Sequence, residues 1–104
     1  MNQTHDTTVQ DTIIEQLKAS RVNGFPFFAY TGIRDFVMMG ETELKLSCPR
    51  NPGHVKYFVV AYIRGSDTYR LSFYKKGDFV PFSIVDDVYF DQLSDLIVRE
   101  MKVK

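Results

Sequence analysis

Lys56-Tyr57-Phe58-Val59-Val60-Ala61-Tyr62-Ile63-Arg64, then Gly65-Ser66-Asp67, then Thr68-Tyr69-Arg70-Leu71-Ser72-Phe73-Tyr74-Lys75, is the stretch that decides the fold. The first run is apolar on both alternating faces, Phe58, Val60 and Tyr62 on one and Tyr57, Val59, Ala61 and Ile63 on the other. Such a run predicts a central strand covered on both sides, because a half-exposed strand alternates apolar with polar residues. The second run does alternate, with Tyr69, Leu71 and Phe73 against Thr68, Arg70, Ser72 and Tyr74. Gly65 and Asp67 tolerate the positive backbone angles of a short loop. The pair reads as a β-hairpin at the middle of an antiparallel sheet.

Working outward, Glu43 to Cys48 alternates, which points Leu44, Leu46 and Cys48 inward and Glu43, Lys45 and Ser47 outward. Pro49-Arg50-Asn51-Pro52-Gly53-His54 follows as an exposed loop. Before it, Phe36 to Met39 is a short apolar strand that Gly40-Glu41-Thr42 turns. Phe25 to Tyr30 is dense in aromatics and reads as a first strand, kept to an edge by Pro26. Val9, Ile13, Ile14 and Leu17 recur at helical spacing after Thr8, and Asn23-Gly24 ends that helix near residues 19–21. Residues 1–7 are a mobile polar tail in this reading, and residues 8–104 a single domain.

On the other side of the hairpin, Lys76-Gly77-Asp78 makes a turn, and Phe79 to Val85 is a last strand with Val80, Phe82 and Ile84 on one face. Pro81 lacks a donor and places this strand at an edge. Asp86 or Asp87 caps a C-terminal helix whose buried stripe is Tyr89, Leu93, Leu96, Ile97 and Met101. The fold expected is therefore α+β: an antiparallel sheet of about five strands with an N-terminal and a C-terminal helix on one face.

Composition sets the limits. With 44% apolar and 25% charged residues the 104-residue chain is an ordinary globular domain and not a disordered one. One cysteine excludes an internal disulfide and fits a reducing, cytoplasmic setting. No apolar run has transmembrane length, so a membrane role is not expected. The formal net charge is zero but unevenly spread. Residues 1–44 hold three Lys/Arg against six Asp/Glu, residues 45–77 hold seven against Asp67 alone, and residues 78–104 hold three against six.

Phe28-Ala29-Tyr30-Thr31-Gly32-Ile33-Arg34-Asp35-Phe36-Val37, followed in order by Leu44-Lys45-Leu46, Gly65-Ser66-Asp67-Thr68-Tyr69 with Leu71 and Phe73, and Val88-Tyr89 with Leu93, resembles a family of small hypothetical proteins of phage, prophage and plasmid genomes. The resemblance spans roughly residues 12–97. Ile33 stands where that family has a smaller residue, and Arg99-Glu100-Met101 replaces a Thr-Gly-like ending. The resemblance implies a mobile-element setting and supplies no chemistry.

Candidate chemistry is sparse. Cys48 and His54 flank one loop and have the composition of a nucleophile and its base, although a thiol closing the Leu44–Leu46 stripe is simply buried. Only His5, His54 and Cys48 offer nitrogen or sulfur ligands, so neither a metal nor another cofactor is expected. Thr31-Gly32-Ile33-Arg34 has the composition of a phosphate-binding backbone nest with Arg34 as a partner. Lys45, Lys56, Arg70, Lys75 and Lys76 with Tyr74 supply cations and a ring for nucleic acid. Tyr62, Arg64, Tyr74 and Phe79 are interface-type residues for a protein partner. The leading expectation is a non-enzymatic accessory protein of a mobile element that binds a host or phage protein. Nucleic-acid binding is the alternative, and a homodimer through a Pro-free edge strand is a further one.

Overall fold

The computed structural model describes residues 8–102, so the expected tail, with His5, lies outside the described residues. The order is α1 (Thr8–Ala19), β1 (Arg21–Val22), β2 (Phe25–Pro26), α2 (Phe27–Thr31), β3 (Asp35–Met39), β4 (Glu43–Ser47), β5 (Tyr57–Ile63), β6 (Thr68–Tyr74), β7 (Ser83–Val88), a 3-10 turn (Phe90–Gln92) and α3 (Leu93–Met101). β3 to β7 form one antiparallel sheet in chain order, each strand beside the next, and β1 and β2 form a separate two-stranded ribbon. The chain is thus α+β with a five-stranded antiparallel sheet and a helix at each end, as its patterning predicts.

The core lies between one face of the sheet and the helices. Leu44, Leu46, Phe58, Val60, Leu71 and Phe73 are fully buried on that face, and Ile13, Leu17, Phe27, Leu93, Ile97 and Met101 cover them from the helices. Each such side chain contributes about 1.5–3 kcal/mol by leaving water. Register locks this arrangement. Leu46 pairs with Phe58, Phe58 with Phe73, Val60 with Leu71, so a slip of one residue would turn every one of them to solvent.

Five expectations need correcting. β5 is central in the sheet but covered on one side only: Phe58 and Val60 are buried, whereas Tyr57, Val59 and Ala61 are half-buried and Ile63 is exposed. Among the described residues no second layer packs on the outer face. The aromatic run from Phe25 is not one strand. Asn23 and Gly24, at φ 51° and 84°, form a two-residue hairpin loop that uses Phe25 and Pro26, and the chain then enters α2. Burial of Phe27, edge-on to Phe28, overrides the strand preference of the aromatics.

The last strand starts later than its pattern suggests. Pro81 has no donor, and Phe82 N–H bonds Phe73 O, so the paired segment begins at Ser83. Val85 and Val88 therefore turn inward opposite Leu71 and Tyr69, and Phe79, Val80, Phe82 and Ile84 stay exposed. Asp86 and Asp87 do not cap a helix. The register shifts by one residue there, so that the two acids lie opposite Arg70 in a β-bulge, with Asp87 at φ 58°. The helical turn starts after Tyr89, whose N–H bonds Gln92 Oε1, and Tyr89 is exposed instead of joining the buried stripe.

Candidate functional site

In a meander, the start of β3, the end of β4, the start of β5 and the end of β6 all lie at one end of the sheet. Arg34, Arg50, Lys56, Lys75 and Lys76 fall there, and two adjoining clefts of about 450 and 440 Å³ hold them. The first is lined by Arg50, His54, Lys56, Lys75 and Lys76, and the second by Arg34, Asp35 and Lys56; Cys48, Pro49 and Lys56 are common to both. Among the described residues the ion pairs are Lys18 with Glu15 and Arg70 with Asp86, so none of these five cations is in one.

The walls of the cleft are built locally. Asn51 is buried and clamps its own loop: its side-chain amide donates to Pro49 O and Val55 O, and its Oδ1 accepts from Val55 N–H. Gly53 N–H bonds Met101 O, tying the loop to the last turn of α3. A Cβ on Gly53 would lie 2.0 Å from Glu100 O, so only glycine allows this approach. Opposite, Gly32 ends α2 in the left-handed region at φ 75°, and a Cβ there would come within 3.3 Å of Pro49. The α2–β3 turn and the β4–β5 loop therefore meet directly.

This turn is a helix terminus and not a phosphate nest. Gly32 N–H bonds Phe28 O, Ile33 N–H bonds Thr31 Oγ1, and Thr31 Oγ1–H donates to Phe27 O, so these amides are occupied. What the turn contributes is the Arg34 side chain.

Beside the cleft, on the open face of the sheet, Tyr57 and Tyr74 stack with ring centroids 4.5 Å apart and planes 10° from parallel. Lys45 Nζ lies 4.3 Å from the Tyr57 centroid, and since β4 and β6 flank β5 it covers the opposite ring face. Tyr57 is thus held on both sides, and among the described residues no other ring or ammonium stacks on Tyr74. Lys75 Nζ lies 5.0 Å from the Phe82 ring centroid. An ammonium over a ring is attracted by the ring's quadrupole, which orders both lysines while leaving their charge at the surface.

Of the cations singled out in the sequence, Lys45, Lys56, Lys75 and Lys76 come together with Tyr74. Arg70 does not. It lies four residues up β6, about 13 Å away at strand rise, and its Nε–H bonds Asp86. That bond is also why the guanidinium holds its proton above the ordinary range. The four interface-type residues are likewise divided. Tyr62 and Arg64 sit at the hairpin tip, where Tyr62 O–H donates to Asp67 Oδ1 and its pKa rises chiefly for that reason. Tyr74 and Phe79 sit at the other end, about 17 Å away along the strands.

Cys48 and His54 both line the cleft, but the thiol is buried and burial pushes its pKa up to about 12, against a smaller opposing pull from Lys56. A neutral thiol is a poor nucleophile at physiological pH. Among the described residues no group of three or more His, Cys, Asp or Glu side chains could hold a metal. No helix among them is long and apolar enough to cross a membrane.

Sequence reading missed Arg34 and Arg50 as members of the basic group, and Asn51 as its clamp. The signal was present, because the meander order alone puts residues 34, 50, 56 and 75–76 at one end. No protein-family model, no curated protein and no solved structure matches this chain.

Proposed function

We propose that the protein binds single-stranded nucleic acid, without catalysing a reaction on it, at the basic end of its sheet. The observation that carries this reading is the convergence of five cations, none ion-paired among the described residues, on two adjoining clefts beside the Tyr57–Tyr74 stack. Cations spaced around a cleft match the repeating charge of a phosphate backbone. A π face beside them accepts an unpaired base, which favours a single strand over a duplex whose bases are already stacked. The resemblance across residues 12–97 to mobile-element proteins supplies the setting: an accessory protein of a phage or plasmid working in the host cytoplasm.

The test is fluorescence anisotropy with a labelled twelve-nucleotide oligothymidine, as a single strand and annealed to its complement. Wild-type protein binds the single strand more tightly, and Lys56→Glu with Lys76→Glu weakens it at least tenfold. Arg64→Glu, at the far end, leaves it within about twofold. Equal loss from Arg64→Glu and Lys56→Glu would sink the assignment, because it would mean diffuse charge attraction and no site.

Protein binding is the second reading. It is favoured by the apolar side chains left exposed at the two sheet edges, among them Phe36, Val37, Phe79, Val80 and Ile84.

A further inference from the structure

The two edges of the sheet are finished differently. β7 follows Pro81, carries the Asp86–Asp87 bulge and is short of donors at its start, all features that discourage a further strand. β3 has none of them. Its five residues, Asp35-Phe36-Val37-Met38-Met39, are all exposed and contain neither Pro nor Lys. Cys48 N–H bonds Lys56 O and Tyr62 N–H bonds Thr42 O, so the even-numbered residues of β4 direct their backbone groups to β5. Glu43, Lys45 and Ser47 consequently face β3, where they pair with Met39, Val37 and Asp35. Phe36 and Met38 are left with N–H and C=O directed outward, on the side of β3 where no described strand lies. The open edge stops at Gly40, whose carbonyl accepts from the buried Gln10 side chain.

The geometry points to β3 as the docking site for an extended segment of another protein, added as a sixth antiparallel strand and alternating apolar with basic residues. Hydrogen bonds to Phe36 and Met38 would supply the ladder. Apolar side chains of the added strand would continue the face on which Phe36 and Met38 pair with Leu46 and Leu44. Its basic residues would lie on the open face, where Asp35 stands at one end of β3 and Glu43, paired with Met39, at the other, with Glu41 in the turn between β3 and β4; Lys45, paired with Val37 between them, carries its ammonium away from this edge, over the Tyr57 ring of β5.

A second copy fits less well. Antiparallel self-pairing about Val37 matches the outward groups of Phe36 to those of Met38, but it sets Asp35 of each copy beside the acidic Met39–Glu43 end of the other. Its closed symmetry also confines contact to one five-residue strand per copy, well short of the roughly 800 Å² per partner of a stable interface.

Two synthetic octapeptides test this, one alternating Val with Lys and one alternating Val with Glu, titrated against full-length protein and followed by amide chemical shifts. The expected result is at least tenfold tighter binding of the Val/Lys peptide, with shifts concentrated at residues 34–40. Met38→Pro abolishes it, because proline removes an outward N–H that the sheet does not use. Asp35→Lys, an exposed change that leaves the edge intact, reverses the peptide preference. Equal binding of both peptides, shifts away from β3, or a concentration-dependent dimer in sedimentation that Met38→Pro dissolves would each overturn the proposal. Asp35 also lines the second cleft, whereas Met38 lies outside both, so a Met38→Pro variant that loses the peptide but keeps oligothymidine binding separates this edge from the nucleic-acid cleft.

Discussion

Gly53 shows how narrow the tolerance is at single residues. Its N–H holds Met101 O at 2.8 Å, and the approach leaves no room for a methyl group. Gly53→Ala is expected to lower stability by about 1–3 kcal/mol, the range for forcing atoms into a packed site, and urea melts against wild type measure it. The same loop contains Asn51, whose three hydrogen bonds are the reason a Pro- and Gly-rich segment holds one shape. Asn51→Ala leaves Val55 N–H without its partner inside the protein and should cost about 1–3 kcal/mol. Cys48 yields a pH prediction. Its folded pKa lies above the unfolded one, so the folded state binds the proton more strongly, and the stabilisation is complete below pH 9. It is lost as pH rises from the unfolded value of 9.0 through about 12. In melts between pH 8 and pH 11, Cys48→Ala should show a shallower decline than wild type. An equal decline would place the alkaline loss on other groups, such as Tyr69, whose pKa burial also raises.

At the scale of elements, what the sequence revealed depended on which interaction set each boundary. α1, β4 and the β5–β6 hairpin were legible because local pattern and tertiary burial agree there: Ile13, Leu17, Leu44, Leu46, Leu71 and Phe73 are all buried as their spacing requires. α2 was not legible, because a two-residue turn and the burial of one phenylalanine outweighed the strand preference of its neighbours. β7 was misread in its bounds, since a missing proline donor delays pairing to Ser83 and a bulge, not visible in periodicity, carries the strand on to Val88 with Val85 and Val88 on the core side. The bulge also disposes of Arg70. With Asp86 Oδ1 on its Nε–H, Arg70 is expected to contribute little to oligonucleotide affinity, so Arg70→Ala should change it by less than about twofold. An anisotropy titration that showed Arg70→Ala as damaging as Lys56→Ala would mean that the strand-wide basic face, and not the cleft, is the site.

Across the whole molecule the zero net charge conceals a polarity along the strands. Arg34, Arg50, Lys56, Lys75 and Lys76 gather at one end, with Asp35 and Asp78 beside them, whereas Glu41, Glu43 and Asp67 lie toward the other, with Arg64 among them. A neutral chain arranged in this way attracts a polyanion to one end and repels it from the other, so it orients its ligand without the diffuse attraction of a basic protein. The candidate site was half legible for the same reason: the excess of cations in residues 45–77 is plain in the chain, but their convergence needs the strand order. Salt dependence separates oriented binding from diffuse attraction. For a single strand the logarithm of affinity falls with the logarithm of salt at about 0.7 per phosphate neutralised. Occupation of the cleft by four or five phosphates therefore predicts a slope of about −3 for wild type. Replacing Lys56 or Lys76 by Gln should each make the slope shallower by about 0.7, and Lys18→Gln, on the exposed face of α1 beside Glu15, should leave it unchanged. A slope near zero would show that affinity comes from stacking or from contacts that release no counterions. A slope that every lysine change lowers equally would remove the cleft as its source.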